Sequence, residues 1–194
     1  MFKFTLLSVA LFLAVGTVFK LKAGDASAQE TQQTAAVNAI PDEYSQVRNQ
    51  ALTGTRKEFG LDAPPTDAPA WGVLMEIGFP ADITTLICMS YGSANVYFRS
   101  GGRLTYGDDR LTVGRAAMAF VRLAGLQQQH MAISMKFPPP KPGRAVFYIL
   151  TDSGVFSADA DVEALRQHRH EFSPLFDAGQ DVIAHLDWST VKRK

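Results

Sequence analysis

The sequence predicts an α+β domain: one antiparallel sheet of about five strands with helices over at least one face, preceded by an N-terminal hydrophobic helix. Three observations lead there. Period-two apolar alternation and hairpin-type turns mark strands within residues 71–99 and 144–160. Helical spacing with capping residues marks the segments around them. The resulting order of helix, three strands, helix, two strands, helix lacks the regular alternation that builds a parallel sheet.

Composition suits a folded globule, with 46% hydrophobic and 20% charged residues. Lys plus Arg equals Asp plus Glu at 19 each, so no general positive field exists to draw in nucleic acid. Cys88 is the only cysteine, which excludes an intramolecular disulfide, a CxxC redox pair and a cysteine-based zinc site.

Phe4 to Phe19 carry no charge, and as a helix they would span about 24 Å, slightly short of a bilayer's hydrocarbon core. Residues 1–22 are therefore expected to be a membrane anchor or a signal segment. Lys20 and Lys22 suit an anchor, their stems lying in lipid and their heads at the interface. Ala26-Ser27-Ala28 offers a cleavage site, with release into the periplasm as the alternative, but it lies nine residues beyond Phe19. Residues 23–39 are rich in Ala, Gln and Thr and read as a flexible linker.

The globular domain is expected over residues 40–188. Pro41 suits a first helical position, Asp42 and Glu43 the positive end, Arg56 and Lys57 the negative end, and Gly60 the stop. Ile40, Tyr44, Val47, Ala51 and Leu52 recur at helical spacing. Three prolines in residues 61–70 break the pattern. "WGVLMEIGF" then sets Trp71, Val73, Met75, Ile77 and Phe79 on one side of a strand, and Gly72, Glu76 and Gly78 on the other. "ITTLICMSY", apolar on both faces, reads as an interior strand, with "NVYFR" its hairpin partner across residues 92–94. Asp108 or Asp109 caps a helix whose apolar face runs from Leu111 through Val113, Ala117, Phe120, Val121 and Ala124 to about Gln128. "PPPKPG" is a stiff connection. "RAVFYILT" and "GVFSADA" flank Asp152-Ser153-Gly154 as a second hairpin. Ser173 as cap and Pro174 as first residue open the last helix, with Leu175, Ala178, Val182 and Leu186 on one face. Residues 189–194 form a basic tail.

By element count alone the layout is loosely similar to profilin-like and roadblock-like modules. "WGVLMEIGFP", "NVYFRSGG", "GRAVFYILTDSGVFSADADVEAL" and "RHEFSPLFDAGQDVIAHL" resemble blocks shared by a family of short bacterial proteins of unknown function, over residues 71–188. The resemblance implies one bacterial domain and supplies no mechanism. Many of those proteins lack an apolar N-terminus, so Phe4 to Phe19 would be an addition, and this favours an anchor.

Reactive groupings are sparse. His168 and His170, with Asp177, Asp181 and His185 at four-residue steps on the last helix, supply nitrogen and oxygen ligands. A metal-dependent hydrolase using His168, His170, Asp181 and His185 is the enzymatic alternative. The bland alternative is a solvated connection followed by the wet face of a helix. Cys88 within "TLICMSY" lacks the electropositive, exposed setting of a nucleophile and reads as core. "RSGGRLTYGDD" places Arg99 and Arg103 beside glycines that could cradle an anion, although turn glycines explain them more simply. Asp108, Asp109 and Asp152 sit where turns and caps want aspartate. The expectation is a membrane-tethered, non-catalytic binding or scaffolding module without a cofactor. It would touch the membrane through residues 4–19 and work through a protein partner or self-association.

Overall fold

The computed structural model describes residues 42–62, 68–107 and 109–190. The hydrophobic N-terminal segment, the linker, Asp108 and residues 191–194 of the basic tail lie outside them. The described part is α+β, with a seven-stranded antiparallel sheet and four helices.

Helix α1 (Glu43–Thr53) starts where Asp42 accepts a bond from the Ser45 N–H at 2.7 Å. It ends earlier than the charge pattern suggests, because the Gly54 N–H closes on the Gln50 carbonyl. A Cβ on Gly54 would sit 2.6 Å from that same oxygen. Glu58 then accepts from the Thr55 N–H and hydroxyl, and Gly60 closes the following turn, not the helix.

The sheet comprises β1 (Ala70–Gly78), β2 (Ile83–Met89), β3 (Ala94–Phe98), β4 (Arg103–Leu104), β5 (Ala132–Ile133), β6 (Arg144–Thr151) and β7 (Gly154–Asp161). Its order is β4-β3-β2-β1-β6-β7-β5. Five of these are the expected strands. The other two are β4 and β5, two-residue strands on the edges, too short to leave any alternation in the sequence.

Helix α2 (Arg110–Gln127) carries the chain from β4 at one edge across to β5 at the other, after which β6 returns to the middle beside β1. Asp109 is its cap, accepting from the Thr112 N–H at 3.2 Å. A short helix α3 (Val162–Arg166), capped by Asp161, has no counterpart in the sequence reading. In α4 (Ser173–Ala184) the cap position is Phe172, and Ser173 is the first helical residue. The Ser173 hydroxyl therefore makes no cap bond, and it is buried without a partner among the described residues.

The sheet has a core on each face. Val73, Met75 and Ile77 of β1, Leu86 and Cys88 of β2, and Phe147 and Ile149 of β6 pack under α2, α3 and α4 in the larger one. Trp71, Leu74, Ile87, Met89, Val146, Tyr148 and Leu150 form the smaller one, under Ala51 and Leu52 of α1. Strand β1 is buried along its whole length, not half-exposed as its glycines and Glu76 suggest. A bulge between Ala70 and Gly72 moves Trp71 to the α1 side, out of the Val73-Met75-Ile77 row. Phe79 lies past the strand end and is 44% exposed.

Candidate functional site

The α1 layer encloses a polar centre. Arg48 donates from Nε and Nη2 to the two oxygens of Glu76 at 2.6 and 2.8 Å, and Nη2 also reaches the Phe137 carbonyl at 3.0 Å. Thr85 Oγ1 donates to Glu76 Oε1 at 3.1 Å and shares a bond with Tyr44 Oη, also at 3.1 Å. Tyr148 donates to the Pro138 carbonyl while its ring lies under the Arg48 guanidinium. Burial pushes the Tyr148 phenol up to about 12, with the nearby Glu76 charge acting in the same direction. Burial opposes the Arg48 cation, but hydrogen bonding to Glu76 and its charge outweigh that and hold the cation more firmly. Glu76 is wholly buried. The centre is closed to solute and fastens α1 to the sheet. It is a structural lock built around Glu76, the one member that the alternation argument assigned to the wet side. The available signal was a lone glutamate in a strand whose neighbours are apolar on both faces.

The expected metal ligands separate into pairs. His168 Nδ1 lies 3.4 Å from Asp177 Oδ2, and His185 Nε2 lies 3.5 Å from Asp181 Oδ1. His170 Nδ1 accepts from the Phe172 N–H at 3.2 Å, and its ring stacks on Phe172. No three His, Cys, Asp or Glu side chains come within reach of one ion among the described residues. Cys88 is fully buried, and burial pushes its thiol far above the ordinary range. Gly101 and Gly102 take positive φ in the turn between β3 and β4. There Arg103 pairs with Glu43 and Asp82 accepts from Ser100, so the stretch is occupied as a turn. Asp152 pairs with Arg56.

A concave, largely apolar site lies on the surface of the described residues. A groove of about 370 Å³ runs between the turn after β2 and the first half of α2, lined by Tyr91, Tyr106, Arg110, Leu111, Arg115 and Met118. Its floor is backbone, because Gly92 and Gly114 approach so closely that a Cβ on Gly92 would lie 3.1 Å from the Gly114 carbonyl. Leu111 is 75% exposed, Tyr91 64% and Met118 44%, while Val113, Ala117 and Phe120 on the inner side of the same helix are fully buried. The sequence reading placed Leu111 on the inner face, and the structure turns it outward. Arg110 is held over the Tyr106 ring at 4.8 Å. Helix α2 carries Arg110, Arg115 and Arg122 and no acidic residue. Hydrogen bonds from the Thr112 side chain and N–H hold the neighbouring Asp109 carboxyl below its usual range, so that carboxylate serves the helix start.

No family model, no curated protein and no solved structure matches the chain.

Proposed function

We propose that the chain is a membrane-tethered, non-catalytic binding module of bacterial origin whose partner surface is the groove between Tyr91 and α2. The observation that carries this is the outward placement of Leu111, Tyr91 and Met118 around one concavity, on a helix whose inner face is already fully used by the core. Exposed large apolar side chains lose solvation free energy at roughly 25 cal/mol per Å² left uncovered. A cluster of them beside arginines is typical of interaction sites. Among the described residues no helix is long and apolar enough to cross a membrane, so the tether in this reading is residues 4–19.

A photo-crosslinking residue in place of Leu111, and separately of Met118, tests the surface in the full-length chain in bacterial cells. Discrete adducts are expected from both and not from the same residue at exposed Lys141. Equal adducts from all three positions, or none from any, would overturn the assignment. Intact mass of the mature chain tests the tether: loss of the first 28 residues would replace it with a released periplasmic protein.

A further inference from the structure

We infer that the occupant of the groove is a short segment of another protein in which one or two apolar anchor residues are flanked by aspartate or glutamate; this rests on the binding-module reading above. Size argues for a segment. At roughly 150–250 Å² per large side chain, the exposed fractions of Tyr91, Leu111 and Met118 offer on the order of 300 Å² of apolar surface. Two folded faces that associate stably bury about 800 Å² on each side, so a second domain, or a second copy of this one, would need far more than the groove provides. A concavity floored by the Gly92 and Gly114 backbone admits one or two side chains of a narrow ligand.

Charge argues for carboxylates. Arg110 and Arg115 stand on the rim, and none of the described lining residues is acidic. Asp109 next to Arg110 feels the Arg115 charge, but its carboxylate is taken up by Thr112 at the helix start, so of the two rim cations Arg110 over Tyr106 is the one best placed for a ligand's carboxylate. Stacking over Tyr106 fixes the Arg110 guanidinium beside the groove before any ligand arrives, which lowers the entropy lost when a planar carboxylate pairs with it. A bilayer is the less suitable occupant. The broad apolar face of α2, with Val113, Ala117, Phe120, Val121 and Ala124, is turned into the core and cannot enter lipid.

Selection of a random 12-residue peptide library on phage against the purified full chain, with Arg110→Gln/Arg115→Gln as the comparison target, tests the inference. Selected sequences are expected to enrich Asp and Glu next to Leu, Phe or Met. The winning peptide should bind the unsubstituted chain about three- to tenfold more tightly than the double variant, by an amount that shrinks as salt rises. It should also lose binding to Leu111→Ala. Enrichment of neutral or basic sequences that still require Leu111 would overturn the acidic assignment while leaving the binding-module reading intact. If no peptide is selected and phosphatidylserine vesicles bind through the same arginines, the occupant is lipid. If no peptide is selected and Leu111→Ala abolishes a dimer seen by sedimentation, it is a second copy. Either result overturns the inference. No selection together with blank crosslinks from Leu111 and Met118 would remove both readings. The substituted side chains lie at the surface, and unchanged thermal melts would confirm that each variant is folded.

Discussion

Arg48→Met is expected to destabilise the domain by about 3–5 kcal/mol, whereas Arg48→Met with Glu76→Leu should lie within about 1 kcal/mol of the unsubstituted chain. The single change removes two of the three bonds to the Glu76 carboxylate, those at 2.6 and 2.8 Å, and leaves only the Thr85 hydroxyl. Each hydrogen bond to a charged group contributes roughly 1.5–3 kcal/mol. The remaining carboxylate would be wholly buried and without its cation, and that condition dominates the loss. Removing both partners takes away the stranded charge as well. What remains is the lost donor to the Phe137 carbonyl, while Thr85 keeps Tyr44. Urea unfolding followed by the fluorescence of Trp71, buried in the same layer, measures the stability of the unsubstituted chain, of Arg48→Met, of Glu76→Leu and of the double variant. A single-variant loss below about 1 kcal/mol, or a double variant as unstable as the two singles added, would refute the assignment of a desolvated lock.

Five further outcomes follow from the same structure. Gly92→Ala should cost about 1–3 kcal/mol, because φ is +92° and the new Cβ would press on the Gly114 carbonyl. Gly114→Ala, whose Cβ would be 3.6 Å from the Gly92 carbonyl, should instead stabilise by about 0.5–1 kcal/mol through helix propensity; denaturation midpoints check both. His168, the one non-glycine residue with positive φ among those described, should yield up to about 1 kcal/mol of added stability when replaced by Gly. A loss there would mean that its pair with Asp177 outweighs the backbone strain. Cys88 should be silent to a thiol-specific reagent in the native chain and react fully in urea, since burial raises its pKa; rapid native labelling contradicts this. Tyr44 and Tyr148 are both raised, mainly by burial, so they favour the fold while protonated. Stability should be complete below about pH 10, where unfolded tyrosine begins to ionise. It should then fall as pH rises toward about 12, read as a declining melting temperature.

Much of the sheet was legible because hairpin turns and β-branched runs act locally. Asp152-Ser153-Gly154 marks one hairpin; the other, expected across residues 92–94, turns at residues 90–93, and both join the strands expected on either side. What failed were features decided by tertiary contact. The bulge that turns Trp71 over depends on the pairing of β1 with β6, and a window of alternation cannot contain it. Glu76 looked wet because a strand was judged by its own residues, whereas its exposure is set by α1 lying above it. The cap at Ser173 was displaced by one residue because the tight connection from α3 already supplies a turn, with the Ser173 N–H bonded to the His170 carbonyl. Leu111, by contrast, was counted with the core for its apolarity alone: it lies about 200° round the helix from Val113 and in line with Arg115 and Met118, so the helical period itself places it on the outer face. That misassigned leucine is the residue on which the binding proposal depends.

Amide hydrogen exchange of the full chain, compared with and without the selected peptide, tests that proposal most directly. The account predicts slowed exchange confined to residues 90–93, Tyr106 and residues 110–118, the walls and floor of the groove, with α1 and the β6-β7 hairpin unchanged. Protection centred on the α1 layer or on the His168 to His185 region, with the groove unaffected, would contradict it.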